Sequence, residues 1–144
     1  MNNKRYKPLV DKLFWILFIP TIALLIPLTV LAVFAPASLI IIIAVDIFII
    51  YLLVSPLFGY VELREKSLFI KYGLILKKEI PYNKIRSVQK DRKFLSESSL
   101  SLKNAYDHVN IKYNAFDLTI VSVVDNDDLI NEINERLRIK ISRK

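Results

Sequence analysis

The first part of the chain is an almost uninterrupted apolar stretch. No charged residue occurs from Leu13 to Val45, and none occurs from Ile47 to Val61. The hydrocarbon core of a bilayer, roughly 30 Å thick, needs about 20 apolar residues in a helix, since each residue rises about 1.5 Å. The stretch is too long for one such helix. It therefore predicts a hairpin of two membrane-spanning helices, at about 13–33 and 37–57.

A short turn, Phe34-Ala35-Pro36, is predicted between these helices. Pro36 cannot continue the first helix but is tolerated in the first turn of the second. Loop backbone left in lipid would lack hydrogen-bond partners, so the turn is expected at the far interface. A cleaved signal peptide is the competing interpretation. Its apolar core would span only about 7–15 residues, which is shorter than the segment 13–33.

The charges beside the apolar segments predict how the hairpin is oriented. Residues 1–12 form a basic flank, the turn carries no charge, and basic residues follow the second helix. The basic residues concerned are Lys4, Arg5, Lys7 and Lys12 before the hairpin and Arg64, Lys66 and Lys71 after it. The positive-inside rule then places both termini in the cytoplasm. The prediction is a multi-pass protein of the cytoplasmic membrane whose C-terminal part faces the cytosol.

Asp46 is the one charged residue within the second apolar segment. A carboxylate at mid-bilayer costs at least about 2.5 kcal/mol on insertion scales, so Asp46 should be neutral, face the other helix or meet water. An intramembrane acid is by default a functional candidate. The alternative is a structural role, with hydrogen bonds to hydroxyl groups of the hairpin or to a second copy in a homo-oligomer. The hydroxyl groups considered are those of Thr21, Thr29, Tyr51 and Ser55.

From Tyr60 onward the hydrophobic pattern changes to alternation, which is typical of half-buried strands. Gly73 and Pro81-Tyr82-Asn83 mark reversals between them. About seven strands are predicted, at Val61–Arg64, Leu68–Tyr72, Leu74–Ile80, Ile85–Lys90, Leu100–Lys103, His108–Tyr113 and Asp117–Val123. The domain 60–144 is therefore predicted to be built mainly from an antiparallel sheet.

A C-terminal amphipathic helix is predicted at about 126–138. Asp127 and Asp128 suit the positive end of its dipole, and basic residues follow at the other end. Its apolar stripe consists of Leu129, Ile130, Ile133 and Leu137. A bent antiparallel sheet of about seven strands closed by one such helix is the pleckstrin-homology (PH) arrangement. The expected fold class is a membrane helical hairpin followed by a small α+β domain with a PH-like fold.

Short motifs of this domain resemble those of a known family. They are residues 68–73, the I-P-Y-x-x-I segment within 80–88, the S-x-S-L segment within 98–102, and 111–113. With the two preceding apolar segments, they resemble the bacterial PH-like membrane proteins of the YyaB-like group over about residues 58–138. Asn104-Ala105-Tyr106 departs from the basic residue expected after the S-L pair. The resemblance implies the fold, and some small two-span relatives are associated with self-immunity to membrane-active bacteriocins.

One strongly basic segment is a candidate contact for lipid or for a partner. It contains Lys84, Arg86, Lys90, Arg92 and Lys93 against a single acid, Asp91. A basic residue near an anionic leaflet contributes about 1 kcal/mol of attraction. The alternative is an edge strand and loop kept soluble by its charge. The segment lacks the basic pattern with which eukaryotic PH domains bind phosphoinositides.

Composition argues against most catalytic chemistry. The chain has no cysteine, two glycines and one histidine. Thiolate metal sites, glycine-rich phosphate loops and histidine-based catalysis are therefore not expected. The lone His108 is expected at a surface or edge position. The net charge of +7 does not indicate nucleic-acid binding, because several tyrosines of the polar half alternate with apolar residues and are expected on core faces. No enzyme activity, cofactor or metal is predicted.

These observations lead to two functional hypotheses. The first is a membrane-anchored binding or scaffold protein whose PH-like domain engages lipid or a protein at the inner face of the membrane. The alternative is a self-immunity protein that protects the membrane against a bacteriocin or another pore-forming peptide. The first requires the cytosolic domain, whereas the second requires the hairpin and Asp46.

Overall fold

The computed structural model describes residues 3–93, 101–103 and 105–141 of the chain. Its helices are α1 (Lys12–Ala32), α2 (Pro36–Val54) and α3 (Asn126–Ile141). Its strands are β1 (Lys4–Tyr6), β2 (Tyr60–Leu63), β3 (Ser67–Lys71), β4 (Lys77–Pro81), β5 (Ile85–Arg92), β6 (Ser101–Leu102), β7 (Asp107–Tyr113) and β8 (Asp117–Val121). Short 3-10 turns follow α2, at Ser55–Phe58, and β4, at Tyr82–Lys84. The motif residues Ser98, Ser99 and Leu100 lie outside the described part.

The strands form two sheets that enclose one core. The order in the first sheet is β1-β2-β3-β4, with all neighbours antiparallel. In the second sheet the order is β5-β7-β8-β6, and the short β6 runs parallel to β8. With α3 at the C-terminal end, this arrangement is consistent with a PH-like fold. The predicted fold class is confirmed.

Alternating side chains of both sheets, together with one face of α3, build the core. Val61 and Leu63 of β2 and Leu68 and Ile70 of β3 are fully buried. In α3 the predicted apolar stripe faces this core, with Leu129 and Ile133 fully buried and Ile130 and Leu137 packed at its edge. Fully burying a Leu or Ile side chain stabilises a fold by about 1.5–3 kcal/mol. The hydrophobic pattern therefore accounts for how α3 covers the sheets.

Buried polar groups link the elements across the core. The hydroxyl groups of Tyr72 and Thr119 lie 2.6 Å apart and join the two sheets. Burial raises the pKa of Tyr72 to about 12, so this phenol stays neutral at physiological pH. On α3 the guanidinium of Arg136 is buried and donates to the backbone carbonyl of Arg64, at 2.7 Å. Arg136 therefore does more than complement the helix dipole, because it also fixes α3 to the loop after β2.

The described part of the basic N-terminal flank belongs to the folded domain, although the sequence predicted a flank outside it. Strand β1 pairs with β2, with Tyr6 opposite Val61. After β1, the Leu9 N–H donates to the Ser122 carbonyl at 2.9 Å, and the Val124 N–H donates to the Lys7 carbonyl at 3.1 Å. A strand of three residues is too short for the alternating pattern to be recognised. The flank is therefore an edge of the first sheet, and the hairpin is inserted between β1 and β2.

The strand predicted at Leu74–Ile80 is wrong in its first half. Strand β4 begins only at Lys77, and the three aliphatic residues 74–76 form the loop between β3 and β4. This loop is closed by a hydrogen bond from the Tyr72 N–H to the Leu76 carbonyl, at 2.9 Å. The apolar run indicated a buried strand, but its side chains point outward, where Leu74, Ile75 and Leu76 are 47%, 72% and 58% exposed.

Two helices of the chain are long and apolar enough to cross a membrane. By length and composition these candidate spans are Lys12–Ala32 and Leu39–Phe58, with mean hydropathies of 2.4 and 2.7. Helix α1 continues through Pro20 and Pro27, and Pro36 opens α2 after a turn of three residues. Most large apolar side chains of both helices are exposed, which fits an apolar surrounding better than water.

Tyr6→Ala should destabilise the domain, because the Tyr6 ring is buried against the core and its hydroxyl donates to Asp128 at 2.5 Å. Truncating a buried aromatic side chain costs about 3–5 kcal/mol. The measurement is denaturant unfolding of the full chain in detergent, followed by circular dichroism. Lys7→Ala is the matched control, since Lys7 is exposed and should change stability by no more than about 0.5 kcal/mol. Equal effects of both substitutions would show that β1 is not part of the folded domain.

The contact between β1 and α3 should make stability depend on pH. Hydrogen bonds from Lys4 and then Tyr6 hold the pKa of Asp128 below its usual value. A lowered pKa in the folded state contributes stability above the unfolded pKa, near about 4, and this contribution is lost as the pH falls through the folded value. Asp128→Asn should therefore lower the melting temperature at neutral pH and have less effect in acid. Glu135→Gln, an exposed position on the same helix, is the control. An Asp128→Asn deficit that did not change with pH would contradict this account.

Candidate functional site

The start of the hairpin is hydrogen-bonded to the domain through Asp11. One carboxylate oxygen of Asp11 caps α1 by accepting from the Leu13 N–H, at 2.7 Å. The other oxygen accepts from the N–H of Tyr106, in the loop before β7, at 2.8 Å. A single partly buried carboxylate therefore satisfies a free N–H of the helix terminus and joins α1 to the second sheet.

The end of the hairpin is attached in a similar way through Ser55. Ser55 follows the last residue of α2, and its hydroxyl accepts from the Leu74 N–H in the β3–β4 loop, at 3.0 Å. Gly73 packs so closely on Ser55 that an added Cβ would lie 3.0 Å from the Ser55 carbonyl oxygen and still closer to its hydroxyl. At Gly59 a Cβ would lie 2.7 Å from the Lys71 carbonyl oxygen. Both glycines of the chain are thus required at this junction.

A half-open cavity of about 180 Å³ lies where α2 meets the domain. Its walls are formed by Tyr51, Leu52, Ser55 and Pro56 of the hairpin and by Tyr72, Gly73, Leu76 and Ser101 of the domain. The cavity is predominantly apolar and is continuous with the exposed loop 74–76. Hydrogen bonds at the two junctions thus connect both ends of the hairpin to the domain.

Inside the hairpin, Asp46 faces α1. The Thr29 hydroxyl donates to the Asp46 carboxyl oxygen at 2.5 Å, and the same hydroxyl oxygen lies 3.0 Å from the Leu25 carbonyl. The hydroxyl of Thr21, another partner considered from the sequence, instead donates to Leu17 of its own helix. Asp46 is half-buried. The contact with Thr29 favours the structural interpretation, in which Asp46 joins the two helices.

The structure places the five residues of the predicted basic contact along one strand and gives several of them acidic neighbours. They are spread along β5 and its flanks, and three of them lie beside carboxylates. Lys90 contacts Asp127 at 2.7 Å, Arg92 contacts Asp107 at 3.1 Å and Lys93 contacts Asp91 at 3.3 Å. Only Asp91 lies within the basic segment of the sequence, and the other two acids are distant from it in the chain. The positive charge available to a lipid surface is correspondingly smaller.

The other two basic residues, Lys84 and Arg86, lie at the start of β5, near the β7–β8 hairpin. The Arg86 guanidinium donates to the Ala115 carbonyl at 2.8 Å and so supports the hairpin tip. Phe116 at that tip is 99% exposed, beside an open concavity of about 610 Å³ that Arg86 and Lys112 also line. This tip follows the last residue of β7, whereas Tyr106 precedes the first. The two ends of the strand are about 20 Å apart, at roughly 3.3 Å per residue.

His108 is buried, which contradicts the expected surface or edge position. Only 1% of the residue is exposed, and its Nδ1 lies 2.8 Å from the Tyr106 carbonyl oxygen. Alternation along β7 puts the His108 side chain on the face opposite Val109 and Ile111, so its burial could not be read from the strand pattern. Within residues 3–93, 101–103 and 105–141, no group of three or more metal-ligating side chains is present.

Sequence reasoning missed the two residues that attach the hairpin. Asp11 had a usable signal, since an Asp directly before an apolar helix is a typical N-cap. Nothing in the sequence indicated that its second oxygen would reach Tyr106. Ser55 had no such signal, because a serine near the end of an apolar segment is compatible with many environments. Both roles depend on contacts between residues far apart in the chain.

Comparison with known proteins identifies the sheet-rich part of the chain. The family model of the bacterial PH domain matches residues 59–137, which is more than half of the chain. The match begins at Gly59 and ends within α3, so β1 and the hairpin lie outside it. No curated protein and no solved structure matches the chain in the other two comparisons.

The Thr29–Asp46 contact should stabilise the helix pair modestly. Hydrogen bonds between membrane helices contribute about 0.6 kcal/mol on average and up to about 1.7 kcal/mol. Thr29→Val and Asp46→Val should each lose this amount, and the double substitution should lose no more than either alone. Asp46→Asn should retain stability, since an amide can donate to the Thr29 hydroxyl. Unfolding by an increasing fraction of denaturing detergent in mixed micelles measures the effect.

Thr21→Val provides the control for this double-mutant cycle, because its hydroxyl bonds only within α1 among the contacts described. It removes a hydroxyl of the same type without removing a contact between the helices. Strictly additive effects of Thr29→Val and Asp46→Val would show that the two side chains are not coupled, and the structural role of Asp46 would then be wrong.

Proposed function

The chain belongs to the bacterial PH domain family, and on that premise we propose that it is a membrane-anchored binding or scaffold protein. In this proposal the hairpin α1–α2 spans the cytoplasmic membrane. The PH-like domain lies at its inner face, where it engages lipid or a protein partner. No catalytic step is part of the proposal. The two spans before the domain also support the finer assignment to the YyaB-like group.

The observation that carries this proposal is the attachment of both hairpin ends to the domain. Asp11 joins α1 to Tyr106, and Ser55 joins α2 to Leu74. A domain on a flexible linker would present every surface to the cytosol in turn. A domain held at two points presents one surface to the membrane and leaves the opposite surface free. This arrangement is suited to binding at a membrane surface.

Charge supports the proposed orientation. Lys7 and Lys12 lie next to the start of α1, whereas the turn at 33–35 has no charged residue. The positive-inside rule therefore favours a turn outside the cell and a cytosolic domain. No feature of the described residues favours the self-immunity alternative, which stays a prediction.

Cysteine labelling of the otherwise cysteine-free chain tests the proposed topology. Phe34→Cys, at the exposed turn, should react with a membrane-impermeant maleimide on intact spheroplasts of a bacterial host. Asn83→Cys, exposed in the domain, should react only after the membrane is permeabilised. The unsubstituted chain should not react at all and serves as the control.

Two labelling patterns would contradict the proposal. Labelling of Asn83→Cys but not of Phe34→Cys on intact spheroplasts would show an inverted orientation. Labelling of both positions only after permeabilisation would show that the hairpin does not cross the membrane. Immunoblotting of the membrane fraction establishes that both variants are present in equal amounts.

A further inference from the structure

The loop between β3 and β4 exposes three consecutive aliphatic side chains. Leu74, Ile75 and Leu76 lie outside the core, and Ile75 has the largest exposed fraction, 72%. Neighbouring exposed aliphatic residues on a soluble domain usually mark an interaction surface. We call these three residues the aliphatic tip.

The position of the aliphatic tip points to its partner. The Leu74 N–H donates to the Ser55 hydroxyl, and Ser55 lies within the apolar stretch Leu39–Phe58 that is long enough to span a membrane. The tip therefore lies beside the last turns of this stretch. If α2 is surrounded by lipid, lipid also surrounds the neighbouring tip.

The surroundings of the tip extend this apolar surface. Leu57 and Phe58, in the 3-10 turn after α2, are also exposed. Lys71 and Lys77 flank the tip, with Lys77 exposed and Lys71 partly exposed. Aliphatic and aromatic residues next to lysines are typical of segments at the boundary between headgroups and acyl chains of an anionic leaflet.

We propose that the aliphatic tip inserts into the cytosolic leaflet beside α2 and gives the domain its own contact with lipid. This inference rests on the proposed membrane location of the hairpin. It replaces the predicted basic segment as the main lipid contact, since three of the five basic residues there lie beside carboxylates. The tip and the Ser55 junction together hold the first sheet close to the membrane surface.

Fluorescence quenching by nitroxide-labelled lipids tests the insertion. Single-cysteine variants of the full chain carry an environment-sensitive fluorophore at Ile75→Cys, Ile47→Cys or Phe116→Cys. Ile47 is an exposed position in the middle of α2, and Phe116 is an exposed apolar residue in the turn between β7 and β8. The proteins are reconstituted into vesicles of phosphatidylcholine and phosphatidylglycerol, with the nitroxide placed either near the headgroup or near the end of the acyl chain.

The expected result is quenching at two depths. The Ile47→Cys probe should be quenched most by nitroxide at the chain end. The Ile75→Cys probe should show blue-shifted emission and be quenched most by nitroxide near the headgroup. The Phe116→Cys probe should be quenched by neither. Ile75→Glu should abolish the quenching of a probe at Leu76→Cys, whereas Phe116→Glu should not change it.

The other outcomes overturn the inference in distinguishable ways. If Ile47→Cys is quenched but Ile75→Cys behaves like Phe116→Cys, the tip does not insert, and the membrane location of the hairpin still holds. Blue-shifted emission at Ile75→Cys without quenching would show a tip covered by protein, such as a second copy. Equal quenching at Ile75→Cys and Phe116→Cys would show unspecific contact of the domain. If Ile47→Cys is not quenched, the proposed membrane location fails together with the inference.

Discussion

The structure depends on the hydrogen bonds that close the domain across the inserted hairpin. The chain first contributes β1 and residues 7–9 to the domain, then leaves it at Asp11 and returns at Ser55. Without these bonds β2 would be an unpaired edge of the first sheet, and the buried Tyr6 would be missing from the core. The hairpin is therefore an insertion into the domain, and residues 60–141 alone do not contain the complete sheet. A domain transferred to another anchor would need β1 as well.

This insertion links the fold to the proposed role. An apolar hairpin connected to a domain only through the continuous chain, without packing between them, would act as a simple tether. Here the close packing at Gly59 and Gly73 and the bond between Ser55 and Leu74 bring a particular loop to the end of α2. The loop next to α2 is thus aliphatic. The tip of the β7–β8 hairpin, at Phe116, is also exposed, but it lies at the end of β7 away from Tyr106. In the proposed membrane arrangement, the close packing at these two glycines places the aliphatic loop, and not another surface of the domain, next to α2.

Sequence patterns predicted an element well where the spacing of its own hydrophobic residues shows which side is buried. Alternation identified β2, β3 and β7, and the stripe from Leu129 to Leu137 identified the buried face of α3. The pattern misassigned Leu74–Leu76 because an apolar run does not show whether its side chains face a core or another apolar surrounding. Strand β1 was too short to be recognised. The pairing of Lys90 with Asp127 and of Arg92 with Asp107, like the bond from Tyr106 to Asp11, joins distant residues that spacing cannot relate.

The most direct test of this account is amide hydrogen exchange of the full chain in lipid nanodiscs, measured residue by residue. The N–H groups of Leu9, Tyr106 and Leu74 are among those that bond across the hairpin junctions or across the insertion. The account predicts that their protection approaches that of the core amides of β2 and β3, since opening them requires much of the domain to open. Exchange of these three amides as fast as in an unstructured segment, with the core amides still protected, would show that the hairpin is only a flexible tether.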